Sequence, residues 1–213
     1  KSHDNTLGIA QKAGAVVFTS TMLGKGASMR EGILFAGNEI LLFLDADITT
    51  YPEDVVELMT RPLTDGTADF VKSVFTRQAG RVTELVAKPL LKLLFPDLAR
   101  FSQPLSGMVA GKRSMMLQME LENDYGVDIG LLIDMHLAGA RIAEVNIGYI
   151  ENRMQSWEQL STMSLEVSRA IISRGEPLQA RQGETLRRVA ALRTQMEYAV
   201  RENRQGLSKM VVF

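Results

Sequence analysis

The chain has 213 residues, a length sufficient for one sizeable α/β domain with its own core. Hydrophobic residues make up 46% of the chain and charged residues 23%, which is ordinary for a globular protein. The formal net charge of −1 excludes a general attraction to nucleic acid or to an anionic membrane, and the absence of cysteine excludes disulfides and thiolate metal sites. No apolar run approaches the roughly 20 residues that a membrane span needs, so we expect a cytoplasmic protein without one.

The first half of the chain predicts helices and strands in alternation, with glycines after two of the helices. The predicted helices cover 5–13, 27–36 and 53–59, and the predicted strands cover 15–18, 40–44 and 69–75. Pro52 precedes the third helix, where proline is well tolerated. This alternation indicates an α/β fold with a parallel or mixed sheet and helices on both faces.

The second half is less regular. Helices are predicted over 81–94, with an interruption at Pro89, and over 127–137, and strands follow the loop at 103–107 and cover 142–150. An amphipathic helix over 157–173 and a second one after residue 183 complete the chain. We therefore expect a main domain over 1–175 and a linker with a further helix over 176–213. The two terminal helices favour packing or a homodimer.

The segment from Leu41 to Asp47 carries the first chemical signal. Four bulky apolar residues run into Asp45 and Asp47, which predicts a buried parallel strand that ends in charge. If that strand includes both carboxylates, they lie on one face, at the end where open α/β sheets bind ligands. Two carboxylates there suit Mg²⁺ or Mn²⁺ shared with substrate phosphates. The alternative is a strand end followed by a solvated turn.

Three further motifs offer binding groups. Lys25 lies between two glycines before a helix, which suits an anion but also fits a solvated loop. Arg81 and Thr83 begin a helical segment and could hold a carboxylate or phosphate, or could cap the helix. Asp128 lies in an apolar, glycine-flanked stretch, where it could stabilise a helix N-terminus or contact a bound hydroxyl.

Taken together, the stretches FLDAD, GKG, GRVTEL, QPLSG and YGVDIG resemble the glucosyl-3-phosphoglycerate synthases, glycosyltransferases related to the family 2 enzymes. The resemblance covers about 1–174, and GRVTEL and QPLSG are its most specific parts. It implies a GT-A (Rossmann-like) α/β fold, with a mixed, mostly parallel sheet flanked by helices and with C-terminal helices.

The resemblance also implies a reaction: transfer of glucose or mannose from a nucleotide diphosphate sugar to 3-phosphoglycerate, with retention and with Mg²⁺ or Mn²⁺. The implied donor-binding residues are Lys25, Asp45, Leu105, Ser106, Gly107, Tyr125 and Asp128. The implied acceptor-binding residues are Gly80, Arg81 and Thr83. Asp128 and Ser106 are the implied catalytic residues, although Asp128 stands where the family carries the longer Glu.

The metal site departs from the family in one position. Asp45 and Asp47 match the family's metal-binding aspartates, but Asn152 stands where the family has a metal-binding histidine. An amide oxygen can bind Mg²⁺ or Mn²⁺ but adds no charge, so metal affinity or sugar choice could differ.

Both ends of the chain suggest further sequence. The family's first strand and its base-binding loop would precede Lys1. The stretch 209–213 resembles the strand before the nucleophile loop of haloacid-dehalogenase-type phosphatases, so a phosphatase domain could follow Phe213.

Two other functions fit part of the sequence. LLFLDADIT also fits a haloacid-dehalogenase motif, with Asp45 as nucleophile and Asp47 as acid–base, but this alternative gives no role to GRVTEL or QPLSG. A non-catalytic module that binds nucleotide sugars is the third hypothesis.

Overall fold

The computed structural model describes residues 4–76, 80–151, 155–176 and 183. The chain divides into two compact units, Lys1–Ile172 and Ser173–Phe213. Two predictions lie outside the described residues: the helix after residue 183 with its following strand, and the position of Asn152.

The first unit contains seven helices and four strands among its described residues. The helices are α1 (Thr6–Lys12), α2 (Lys25–Phe35), α3 (Val55–Thr64), α4 (Lys88–Leu94), α5 (Arg113–Met116), α6 (Val127–Leu137) and α7, which is helical over 157–176 and belongs to this unit as far as residue 172. The strands are β1 (Ile40–Phe43), β2 (Phe70–Thr76), β3 (Val109–Lys112) and β4 (Ile142–Tyr149). A π-helical turn, Thr83–Ala87, leads into α4, and a 3₁₀ turn, Pro96–Arg100, follows it.

The strands form one sheet in the order β1-β3-β2-β4. β3 pairs antiparallel with both β1 and β2, and β2 pairs parallel with β4. Three strands therefore run in one direction and only β3 is reversed, which confirms the predicted mixed, mostly parallel sheet. Ala110 lies opposite both Leu42 and Val71, so a small residue occupies the middle of the sheet.

A hydrophobic core lies between α3 and the sheet. Val55, Met59 and Leu63 recur along α3 at helical spacing and are buried against Val71 and Phe75 of β2. Burying a side chain of this size contributes about 1.5–3 kcal/mol. This packing holds α3 against the sheet, directly after the segment that carries Asp45 and Asp47.

Three predictions about the elements are wrong in detail. Residues 15–18 have the composition of a strand, but Val16 is 95% exposed and the described residues supply no strand that pairs with them. The helix predicted to end at residue 59 continues through Pro62, whose carbonyl accepts hydrogen bonds from Thr67 and Ala68 beyond the helix end. The interruption predicted at Pro89 lies just before it, where the π turn Thr83–Ala87 gives way to α4, and Pro89 lies in the first turn of α4.

An ion cluster joins the starts of two strands to the end of a third. Asp69, just before β2, accepts hydrogen bonds from Lys112 Nζ (2.5 Å) and from Arg141 Nε (2.8 Å). These hydrogen bonds hold the pKa of Asp69 well below its usual range, and those from Arg141 contribute most.

No helix among the described residues is long and apolar enough to cross a membrane.

Candidate active site

A cavity of about 500 Å³ opens at one end of the sheet. Asp45 follows β1 at this end, Phe75 lies near the end of β2, and Ile150 follows β4, while Met108 directly precedes the reversed β3. Open α/β sheets bind ligands at the C-terminal ends of their strands, and this volume is in the range of small-molecule sites, roughly 300–1,000 Å³.

Eleven of the twelve predicted site residues line this cavity, although they come from five separate parts of the chain. They are Lys25, Asp45, Asp47, Gly80, Arg81, Thr83, Leu105, Ser106, Gly107, Tyr125 and Asp128. The twelfth, Asn152, lies outside the described residues.

Asp45 and Asp47 lie in the turn that follows β1, as in the alternative interpretation of this segment, and not within the strand. β1 ends at Phe43, and the amide of Ile48 donates to the carbonyl of Asp45 (3.4 Å). β1 is also a partly exposed strand whose pairing is antiparallel, because β3 separates it from β2. The turn still places both aspartates on the cavity wall.

Lys25 connects the two acidic parts of the cavity. Its Nζ lies 2.8 Å from Asp128 Oδ2, at the start of α6, and 3.3 Å from Asp45 Oδ1. The Lys25 side chain is 23% exposed and that of Asp128 only 6%, so this ion pair is largely shielded from water. One cation therefore holds together the residues that follow β1 and those that begin α6.

The pKa values of this pair follow from burial and from the neighbouring charges. Burial lowers the pKa of Lys25, but Asp128 and Asp45 outweigh it, so the net pKa is raised and the side chain stays an ammonium. Burial raises the pKa of Asp128 against the opposing charges of Lys25 and Lys72. Within the described residues, Asp128 Oδ1 is buried without a hydrogen-bond partner, which leaves it available to a ligand.

The two glycines around Lys25 are required by packing. A Cβ on Gly24 would lie 2.0 Å from the carbonyl oxygen of Asn123, and one on Gly26 would lie 1.8 Å from that of Glu122. Only glycine allows α2 to begin this close to the segment before α6. The glycines thus bring Lys25 next to Asp128, and they need no anion to explain them.

The loop before β3 is held from inside the protein. The hydroxyl of Ser106 is hydrogen-bonded to Ser73 Oγ (2.6 Å) and accepts from the amide of Met108 (3.2 Å), and Ser106 is 4% exposed. A Cβ on Gly107 would lie 2.0 Å from Lys25 Nζ. These contacts give Ser106 a role in shaping the loop, while a catalytic role stays a prediction.

The donor set fits a hard divalent cation. Asp45 and Asp47 supply carboxylate oxygens to the cavity, and Tyr51 fixes their turn by donating its hydroxyl to the carbonyl of Asp45 (3.0 Å). Burial, with the charge of Asp45, raises the pKa of Tyr51 to about 12, so it stays a donor. The described residues contain no cluster of three or more His, Cys, Asp or Glu suited to a metal. Mg²⁺ typically needs only one or two carboxylates when substrate phosphates complete its shell.

The residues predicted to bind the acceptor also line this cavity. The guanidinium of Arg81 lies 4.7 Å from the centre of the Trp157 ring, at the start of α7. The hydroxyl of Thr83 is buried and has no hydrogen-bond partner among the described residues. A stacked guanidinium and an unpaired hydroxyl on a cavity wall can bind an anion such as a phosphate.

Sequence reasoning missed two residues beside this cavity. Lys72 is fully buried in β2, where a lysine inside the apolar stretch FVKSVF was the available signal. Trp157, the only tryptophan, was interpreted as part of an amphipathic helix, and nothing in the sequence linked it to Arg81.

The chain matches the model of glycosyl transferase family 2 over residues 1–123, and it belongs to that family. Among curated proteins, it is 32% identical over 197 residues to the glucosyl-3-phosphoglycerate synthase of Petrotoga mobilis, covering 82% of this chain and 61% of that protein. It is 36% identical over 168 residues to the enzyme of that name from Mycobacterium tuberculosis, covering 71% of this chain and 52% of that protein. The resemblance inferred from the motifs is confirmed.

Solved structures of the Mycobacterium tuberculosis enzyme have the same fold. The structure in complex with Mn²⁺, UDP-glucose and phosphoglyceric acid matches with a TM-score of 0.78 and 34% identity, covering 83% of this chain and 66% of that chain. The complex with Mn²⁺, UDP and glucosyl-3-phosphoglycerate matches with a TM-score of 0.77. This chain spans about three fifths of the length of the Petrotoga relative.

Proposed function

We propose that this chain forms the catalytic domain of a metal-dependent glycosyltransferase that moves glucose from a nucleotide diphosphate sugar to 3-phosphoglycerate. The observation that carries the proposal is the convergence of eleven predicted site residues on one cavity. Relatives named for this reaction, and structures in complex with UDP-glucose and phosphoglyceric acid, support the choice of substrates.

At the donor end, the charges are arranged for a diphosphate. Asp45 and Asp47 would hold Mg²⁺ or Mn²⁺, which when bound supplies positive charge to the diphosphate leaving group. Lys25, kept as an ammonium by its two carboxylate neighbours, lies beside that position and would stabilise charge on the leaving oxygen. Leu105 and Gly107 would line the sugar position, and the unpaired Oδ1 of Asp128 would accept a hydrogen bond from a sugar hydroxyl.

At the acceptor end, Arg81 and Thr83 would hold the phosphate of 3-phosphoglycerate, next to the backbone of Gly80. The Trp157 ring restricts Arg81, so less side-chain entropy is lost when the guanidinium binds. We further propose that the transfer retains the configuration at the anomeric carbon, which the coupling constant of the anomeric proton in the product would reveal.

Asn152 is proposed as a third metal ligand on its sequence position alone. If its amide replaces the family's histidine, Asn152→His should tighten Mn²⁺ binding, and Asn152→Ala should weaken it. Isothermal titration with Mn²⁺ in the presence of UDP tests this, and equal affinities in all three proteins would remove Asn152 from the site. Homodimer formation through the two terminal helices also stays a prediction.

The first experiment is a thermal-shift screen of the full-length protein with UDP or GDP, each with and without Mn²⁺. A ligand that binds only the native state raises the melting temperature, and we expect UDP with Mn²⁺ to give the largest increase. Absence of any nucleotide-dependent increase would contradict the proposal. A larger effect of GDP would keep the transferase but replace the donor with a guanosine nucleotide sugar.

The phosphatase alternative has less support. The family 2 match covers Asp45 and Asp47, and Asp45 is paired with Lys25 in a cavity that is also lined by residues of the GRVTEL and QPLSG segments. Release of phosphate from an aryl phosphate, lost in Asp45→Asn, is the result that would favour it.

A further inference from the structure

Lys72 is a lysine in the interior of the sheet. It lies in β2 with 1% of its surface exposed, and its Nζ donates to the carbonyl oxygens of Ser106 (2.6 Å) and Asp128 (3.2 Å). Ser106 belongs to the loop before β3 and Asp128 to the first turn of α6. One ammonium thus connects two segments of the cavity wall that are far apart in sequence.

This lysine is not itself among the described residues that line the cavity, whereas both of its partners are. Its contacts are with main-chain oxygens, so they fix the path of the backbone and leave the side chains of Ser106 and Asp128 free for other contacts. The Asp128 carboxylate is held separately, by Lys25 at 2.8 Å. Lys72 therefore holds the main chain of Asp128, and Lys25 holds the side chain of Asp128.

A buried charge at this place is costly, so packing alone does not explain it. A methionine or leucine would fill a strand interior without desolvating an ammonium. Burial lowers the pKa of Lys72 to about 8, even though the negative charge of Asp128 opposes the shift. The hydrogen bonds that the ammonium donates to the carbonyl oxygens of Ser106 and Asp128 offset part of that cost.

The loop that contains Ser106 and Gly107 leaves little room around Lys25. The ammonium of Lys25 lies so close to Gly107 that a Cβ there would be 2.0 Å from Nζ, and Gly107 directly follows Ser106. If the loop moved toward α6, it would displace Lys25, and if it moved away, the wall beside Asp128 would open. The position of Ser106 relative to Asp128 thus controls the space around Lys25.

We propose that Lys72 is a positioning residue of the donor site, which ties the Ser106–Gly107 loop to the first turn of α6 and thereby fixes the space that Lys25 and a donor diphosphate share. The effect of Lys72 on catalysis rests on the proposed function. The mechanical part, that Lys72 holds the two segments together, can be tested without any substrate.

The test compares Lys72→Met with Phe70→Leu in the full-length protein. Phe70 is fully buried two residues earlier on the same face of β2, so the control perturbs the same strand interior without touching either carbonyl. Amide hydrogen exchange over 103–108 and 126–131 is measured in both variants. Steady-state rates are measured with UDP-glucose, 3-phosphoglycerate and Mn²⁺, varying each substrate in turn.

We expect Lys72→Met to increase exchange in both segments and Phe70→Leu to leave them near the wild-type rates. Loss of the hydrogen bond to the Ser106 carbonyl and of the contact with the first turn of α6 should lower kcat/KM for UDP-glucose by roughly 10- to 100-fold, with little change in KM for 3-phosphoglycerate. Lys72→Gln, which keeps a shorter donor, should fall between wild type and Lys72→Met. It also provides the same comparison if the methionine variant does not fold.

Unchanged exchange in both segments of the Lys72 variants, or an equal increase in Phe70→Leu, would overturn the positioning role. If the wild-type protein transfers no glucose but the exchange difference is present, the proposed function fails and the positioning role stands. If wild-type transfer occurs and the exchange rates are alike, the proposed function stands and the positioning role fails.

Discussion

The Nζ of Lys25 lies 2.8 Å from Oδ2 of Asp128, although 103 positions separate the two residues. The contact joins the start of α2 to the start of α6, and Asp45 lies 3.3 Å from the same ammonium. A diphosphate bound here, as proposed, would meet a lysine that is already charged and oriented. Preorganisation of this kind stabilises developing charge without reorganisation at the moment of reaction.

Removing the ammonium should therefore lower the catalytic rate. We expect Lys25→Met to lower kcat for glucose transfer by roughly 100- to 1,000-fold, because the leaving diphosphate loses a preorganised positive charge. Initial rates at saturating UDP-glucose and Mn²⁺ measure this. Lys92→Met, which replaces an exposed lysine of α4, is the matched control and should keep full activity. Equal activity of the two variants would remove Lys25 from the mechanism.

The metal requirement should depend on the turn after β1. Wild-type activity should disappear when EDTA removes divalent cations and return when Mn²⁺ or Mg²⁺ is added. Asp47→Asn, which removes a carboxylate charge at nearly constant shape, should lose the additional stabilisation that Mn²⁺ gives to bound UDP in a thermal-shift assay. A protein that is fully active in EDTA would contradict the metal role of Asp45 and Asp47.

Gly107 provides a variant in which activity and stability separate. In Gly107→Ala the new methyl group would meet the end of the flexible Lys25 side chain, which can move aside at little cost to the fold. The ammonium would leave its place between Asp45 and Asp128, and such a misplacement can lower the rate by roughly 100-fold. We expect a melting temperature near that of wild type with strongly reduced kcat. A normal kcat would show that the position of Lys25 is not critical.

The contact between Arg81 and Trp157 predicts an effect limited to the acceptor. An exposed cation–π contact contributes about 0.5–1 kcal/mol, so Trp157→Ala should raise KM for 3-phosphoglycerate roughly two- to fivefold. KM for UDP-glucose should not change, and Trp157→Phe should restore most of the acceptor affinity. Equal effects of Trp157→Ala on both substrates would indicate a structural role for the ring.

The ion cluster at Asp69 predicts loss of stability in acid. Its pKa is lower in the folded protein than the usual 3.8, because Arg141 and Lys112 donate hydrogen bonds to its carboxylate. The ionised Asp69 therefore contributes its full stabilisation of the folded protein at pH values above its pKa in the unfolded chain. This contribution is lost as the pH falls toward the lower pKa of Asp69 in the folded protein. Urea unfolding should show a steeper loss of unfolding free energy below about pH 4 in wild type than in Asp69→Asn. The exposed control Asp65→Asn should follow wild type, and equal pH dependence in all three would contradict this role of Asp69.

Periodic segments with clear ends were predicted well from sequence. The helix over 127–137 was predicted with the boundaries that α6 has, because apolar residues recur throughout the segment and Gly139 ends it. The apolar run before Asp45 predicted β1, and the abrupt change to charge predicted the edge of the cavity. The strand predicted over 15–18 was wrong, because a β-forming composition does not by itself supply a neighbouring strand to pair with.

The site was predictable as a set of residues but not as a geometry. The resemblance supplied the residues that line the cavity, while the pairing of Lys25 with Asp128 depends on packing between the starts of two helices. Lys72 was missed because a lysine in a strand is ordinarily a solvent-facing residue, and only the fold places its ammonium beside two buried carbonyls.

The most direct test is product formation by the full-length protein incubated with UDP-glucose, 3-phosphoglycerate and Mn²⁺. We predict that mass spectrometry will detect glucosyl-3-phosphoglycerate together with UDP, and that Asp47→Asn will form neither. Absence of the glucosylated product in the wild-type reaction, under conditions in which UDP and Mn²⁺ stabilise the protein, would contradict the proposed acceptor.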